Sequence, residues 1–202
     1  MDHADPVPGT PVVVTGLMGA GKTTVASALA HRWRRVLRDS DADLLAATGR
    51  TASQLAAERG ADGLHDLEAQ HVLDAVAALP AAVVAAAASV VEVPRCRTAL
   101  ADRAVVVWLD AAPADLVARQ RVGGHRPQYG PDLLAMLDGM DARRRPFFEQ
   151  LADVVVRLGP VDPASDVDTR AASIAALVDD VEQRVAERVA TGGGPAARRG
   201  RR

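Results

Sequence analysis

A chain of 202 residues with 49% apolar side chains can bury one substantial core, so a single domain is expected. Its 24 basic and 26 acidic side chains, net −2, are scattered along the chain, which excludes a nucleic-acid binder relying on a broad positive field and leaves small molecules as the expected partners. A lone cysteine, Cys96, excludes an internal disulfide framework and a cysteine-rich zinc site, and reads as a small buried hydrophobe.

The first ten residues, MDHADPVPGT, lack the basic start and the apolar run of a secretory signal, and residues 1–10 are expected to be disordered. No stretch has the length and apolarity of a membrane span, so a cytoplasmic protein without membrane attachment is expected. Residues 12–15, VVVT, form a short β-branched strand ending in a glycine-rich turn, and residues 23–34 follow as a helix with Val25, Leu29 and Trp33 at helical spacing. A second strand is expected at 36–39. Two helices are expected at 43–49 and 51–60, stopped by Gly49 and Gly60, and a longer one at 62–79 before Pro80. Residues 81–88, 104–109 and 153–158 are continuous apolar runs, the pattern of strands covered on both faces, although the alanines at 85–88 suit a helix equally well.

Between these runs, 114–121 and 131–150 are long enough for helices, and the glycine-containing piece 122–127 separates them as a loop able to move. The last helix aligns Ile174, Leu177, Val178, Val181 and Val185 on one face. The tail at 191–202, TGGGPAARRGRR, is expected to be a disordered basic terminus. One domain therefore spans 11–190. Alternating strands and helices imply an α/β fold with a parallel sheet, whose ligands bind at the carboxyl ends of the strands.

Residues 16–23 read GLMGAGKT and fit GxxxxGK[ST], preceded by a strand and followed by a helix, as a phosphate cradle requires. Gly16, Gly19 and Gly21, with Ala20 among them, let the backbone turn its N–H groups inward onto a β-phosphate, and the helix N-terminus adds partial positive charge. Lys22 then bridges the β- and γ-phosphates of ATP. Of the 24 basic residues it is the single lysine, and a compact ammonium suits that position better than arginine's planar fork. Thr23 offers a hydroxyl to Mg²⁺, and Thr24 is near enough to cap the helix or touch an α-phosphate. With no second lysine, the chain holds no NKxD-like guanine-reading segment, which weakens a GTPase reading.

Further along come Asp39-Ser40-Asp41, the segment GADGLHDLE at 60–68, the apolar run at Val83, VVWLD from Val106, His125-Arg126-Pro127, and Arg144-Arg145-Pro146-Phe147-Phe148-Glu149. In order and spacing this set, from about residue 12 to 156, resembles shikimate kinase. The resemblance implies a P-loop NTPase of nucleoside-monophosphate-kinase type, with a five-stranded parallel sheet, a substrate-binding segment at 40–75 and a lid at 115–130. It also implies that Asp39 reaches Mg²⁺ through water and that Asp41 contacts, and deprotonates, the acceptor hydroxyl. Two aspartates capping the next helix fit the same residues.

By the same resemblance, Arg126 closes over the γ-phosphate, Arg119 packs on adenine, and Arg144 grips a substrate carboxylate. Each arginine also fits a solvated surface, and Arg143 and Arg145 leave the register of Arg144 open. Two departures fall on the acceptor site. His65 stands where the family carries a second clamping arginine, and an imidazole lacks the paired donors of a guanidinium; a polar helix residue without a ligand is the plainer reading. The family's triple glycine after the third strand is Ala87-Ala88-Ser89, so side chains occupy space where a substrate ring would approach bare backbone.

The expected activity is transfer of the γ-phosphoryl group of MgATP to a hydroxyl of a small polyhydroxylated acceptor, shikimate or a relative, by a monomer or weak homodimer. The altered acceptor residues support a second reading: a nucleotide-binding paralogue that acts by regulation or by binding a partner.

Overall fold

The computed structural model describes residues 4–122, 132–160, 162 and 164–195. Five parallel strands form one sheet: β1 (Val12–Thr15), β2 (Leu37–Asp39), β3 (Val83–Ala85), β4 (Val105–Asp110) and β5 (Val154–Arg157), in the order β2-β3-β1-β4-β5. Valine dominates because a central strand covered on both faces favours apolar side chains. Val12, Val13 and Val14 are fully buried, with Val13 in register with Val84 on one side and Val106 on the other. The chain leaves β1 between β3 and β4, and that reversal of strand order opens a crevice at the carboxyl end of β1.

Seven helices among the described residues flank the sheet: α1 (Lys22–Arg32), α2 (Ser40–Thr48), α3 (Ala52–Ala77), α4 (Pro94–Arg103), α5 (Pro113–Val122), α6 (Leu133–Leu151) and α7 (Val167–Ala190). Helix α7 packs along α1, where Arg32 pairs with Asp179 at 2.5 Å and Glu182 at 3.1 Å, and the Trp33 indole donates to Glu182 at 2.8 Å.

Several elements differ from the sequence expectation. The run at 81–88 yields only the three residues of β3; the alanines beyond it, poor strand formers, lead into a 3-10 turn at Ala88–Glu92. Helix α2 starts at Ser40 rather than 43, because the Asp39 side chain accepts from the amides of Asp41 and Ala42 and so caps it. The two helices expected at 51–60 and 62–79, by contrast, are the two parts of α3, which opens on a Thr51/Gln54 capping box, breaks at Gly60 (φ 76°, ψ 172°) where the stop was expected, and ends at Ala77. Helix α4 was not expected, although Pro94 at its first turn is a start signal and Cys96 and Leu100, four apart, are its buried pair. On α7, Val178, Val181 and Val185 are buried and Ile174 is exposed, so the docking face begins further along than the periodicity implies. Within the segment expected to lack order, Val7 is buried and the Asp5 carboxylate lies 3.6 Å from Arg35. Of the lid expected at 115–130, α5 covers the first part, and the loop with Arg126 lies outside the described residues.

Candidate active site

The crevice beside β1 is lined by the loop joining β1 to α1. Gly16 leaves the strand at φ 141°, and a β-carbon there would lie 2.5 Å from the Leu109 carbonyl oxygen of β4, so this position admits glycine only. Leu17 and Ala20 are buried and anchor the loop, whose turn closes with a bond from the Ala20 amide to the Leu17 carbonyl at 3.2 Å. Lys22 opens α1, and its Nζ donates to the Leu17 carbonyl at 3.2 Å. Gly21 caps α1 without a side chain, so no side-chain cap bond engages the first-turn amides, which is what an anion site at a helix start requires. Gly16→Ala is expected to destabilise the fold by roughly 2–4 kcal/mol, combining backbone strain with overpacking. Denaturant unfolding checks this, with an unchanged midpoint as the contrary result.

Next to the loop, the Thr23 hydroxyl donates to Asp39 Oδ2 at 2.7 Å, while Asp39 Oδ1 accepts from the amides of Asp41 at 3.0 Å and Ala42 at 3.2 Å. Asp39 is buried at 5% exposure and joins the phosphate loop to the first turn of α2. A carboxylate and a hydroxyl side by side are the hard oxygen donors that Mg²⁺ takes. No group of three or more metal-ligating side chains occurs among the described residues, so an ion held here draws the rest of its shell from phosphate and water. Thr24 is exposed on the first turn of α1. Arg119 of α5 bonds the Gly159 carbonyl at 2.9 Å, and burial lowers its pKa.

Asp41 on α2, His65 and Glu68 on α3, Ser89 in the 3-10 turn and Arg144 on α6 share one neighbourhood. Glu68 is buried, accepts from the Ser89 hydroxyl, and lies in the fields of His65, Asp41 and Arg144. Burial is the main cause that raises its pKa; Asp41 adds to the rise, while Ser89, His65 and Arg144 oppose it. Of three consecutive arginines, Arg144 is the buried one, and its Nε donates to Glu92 at 2.6 Å. Arg143 is exposed and 3.7 Å from the same carboxylate. Arg145 turns away to Asp141 and Asp110, both at 2.9 Å, over the Trp108 ring. Ala87 and Ala88 are half-buried at the mouth of the turn.

Sequence reasoning passed over Glu68 and Glu92. Glu68 follows His65 by three residues and so shares its helix face, a usable signal. Glu92 interrupts an apolar run, and a charge there calls for a partner.

Because the folded-state pKa of Glu68 lies above its unfolded value, ionisation costs the native state free energy: the penalty is absent at low pH and fully developed above the folded pKa. Glu68→Gln, which keeps an acceptor for Ser89, is expected to raise Tm relative to the parent at about pH 8 and not at about pH 4. Thermal melts at the two values decide; an equal effect at both would leave the buried charge without thermodynamic weight.

The family model for shikimate kinase matches residues 18–175. A shikimate kinase from Symbiobacterium thermophilum is 38% identical over 146 residues, covering 71% of this chain and 83% of the relative. The chain belongs to the shikimate kinase family. One from Burkholderia thailandensis is 35% identical over 153 residues, 75% of this chain and 83% of the relative. In structure, the shikimate kinase from Acinetobacter baumannii in complex with shikimate superposes with a TM-score of 0.73 at 20% identity, covering 91% of this chain and 94% of the other. The fold is that of the family's P-loop kinases, a five-stranded parallel sheet flanked by helices. As a member of the shikimate kinase family, the chain is an ATP-dependent small-molecule kinase acting on a hydroxyl, and the reading as a non-catalytic paralogue is not favoured. No helix among the described residues is long and apolar enough to cross a membrane.

Proposed function

We propose that this kinase transfers the γ-phosphoryl group of MgATP to a hydroxyl of shikimate or of a closely related cyclic polyol. The observation that carries the reading is the chain of contacts from Thr23 through Asp39 to the Asp41 amide, which links the phosphate loop to the helix turn carrying the acceptor-side carboxylate. The names of the relatives, and the shikimate complex of the Acinetobacter protein, support shikimate as the first acceptor to try.

In this mechanism the loop amides at Gly16, Gly19, Ala20 and Gly21 and the start of α1 hold the phosphates, and Thr24 adjoins them. Lys22 leaves the Leu17 carbonyl for the β- and γ-phosphates, where its charge offsets what builds up as the γ-phosphoryl group loosens. Thr23 and Asp39 would hold Mg²⁺, which neutralises phosphate charge when bound. Asp41 accepts the proton of the attacking hydroxyl as the new oxygen–phosphorus bond forms and the bond from the γ-phosphorus to the β–γ bridging oxygen breaks, leaving ADP. Arg126 is assigned the γ-phosphate and Arg119 the adenine face. His65, Ala87, Ala88 and Arg144 surround the acceptor.

Purified protein with MgATP and, in turn, shikimate, quinate, gluconate and aminocyclitols is expected to release ADP in an acceptor-dependent way. Tight ATP binding with no turnover on any of them would overturn the reading.

A further inference from the structure

Helix α2 carries Asp41, the residue assigned to the acceptor hydroxyl, yet little packing holds it: of its residues only Ser40 and Leu44 are buried. Asp39 caps its first turn. A further tie is Asp43, two positions beyond Asp41, whose Oδ2 accepts from Arg38 Nε of β2 at 2.5 Å and from His71 Nε2 of α3 at 2.8 Å. Burial pushes the Asp43 pKa up, but the bonds from Arg38 and His71 outweigh it and hold the carboxyl below its ordinary value. The anion accepts, so His71 Nε2 carries the proton of that bond.

His71 is the informative member of this trio. Its side chain is 4% exposed, and its Nδ1 is buried with no hydrogen-bond partner among the described residues. The bond to Asp43 is therefore the polar contact that retains an imidazole on a stretch of α3 where Ala69, Val72 and Ala75 are buried. An apolar side chain there would leave no buried polar atom unmet. Three residues earlier on the same helix, Glu68 is buried and takes the Ser89 hydroxyl. Helix α3 is thus bonded to α2 through His71 and to the 3-10 turn through Glu68, the two sides between which the acceptor is assigned.

Resting on the phosphotransfer reading above, we propose that His71 is a positioning residue: through Asp43 it sets where α2 holds Asp41 relative to the acceptor wall built on α3 and the 3-10 turn. Rate is steep in the distance from base to hydroxyl, whereas α2 keeps its Asp39 cap and Leu44 without this bond. Loss of the bond should therefore show in turnover rather than in folding.

The full chain is given MgATP and whichever of shikimate, quinate, gluconate and aminocyclitols the parent turns over fastest, and ADP release is followed. In His71→Leu, kcat is expected to fall about tenfold or more, while the MgATP Kd by calorimetry moves less than about twofold and Tm does not fall. An imidazole that served the fold alone would give the reverse, a lower Tm with kcat held. His71→Gln, whose Nε2 can donate to Asp43 in place of the ring nitrogen, is expected to recover most of kcat. Asp43→Ala, at a half-exposed helix position, is the second variant should His71→Leu fold poorly. It is expected to lower kcat by a similar factor, and the double variant to be no slower than either single one, since both remove the same bond. Parental kcat in the variants that fold, equal losses in His71→Leu and His71→Gln, or losses that multiply in the double variant overturn the positioning role while upholding phosphotransfer. Turnover by the parent on none of the acceptors overturns both.

Discussion

Lys22→Met is expected to lower kcat about 10³-fold, the effect of removing one preorganised charge from a developing phosphoryl anion. Methionine matches the reach of the side chain without its charge, and Lys22 is only half-buried, so the fold should hold. In the structure its ammonium is held against the Leu17 carbonyl at 3.2 Å, inside the loop it would serve. Lys22→Arg is expected to recover little, because a planar fork needs more room than a point charge and presents its donors in one plane. Twenty-three arginines and one lysine make this the clearest case in the chain of a position that composition bias did not overwrite. Steady-state ADP release with nucleotide calorimetry checks both variants; more than about a tenth of parental kcat in Lys22→Met would remove the ammonium from the transfer step.

The second large effect is expected at Asp41. Its backbone amide, bonded to Asp39 at 3.0 Å, fixes the first turn of α2, and its side chain is exposed. Asp41→Asn preserves shape and removes the base, so kcat should fall by about 10²–10⁴ with little change in Tm. If the residue only orients the hydroxyl, KM rises and kcat holds; the split between the two parameters reads its role.

How far sequence carries can be seen element by element. The phosphate loop was legible because Gly16, Lys22 and Thr23 are fixed by local backbone and charge requirements that a motif records. The five parallel strands followed from apolar runs and resemblance together. Helix α4 was not legible from the apolar runs, since its ten residues bury only Cys96 and Leu100. The start of α2 depended on a side chain that the resemblance assigns to magnesium: one carboxylate oxygen of Asp39 caps the helix while the other accepts from Thr23, so the cap does not exclude that role. The acceptor wall was the least legible part. His65 and Ala87-Ala88-Ser89 announced a change, but the partner of Arg144 is 52 residues away at Glu92, and no local pattern reports a pairing made through tertiary packing.

The clasp between Arg32, Trp33 and Glu182 has a consequence during synthesis. The first strand is made early, yet its neighbours β3 and β4 come some 70 and 90 positions later, and the helix that starts at Lys22 gains the cover of α7 last. Nearly the whole chain must therefore be made before that end of α1 is covered, and a truncation near residue 170 would remove the partners of Arg32 and Trp33.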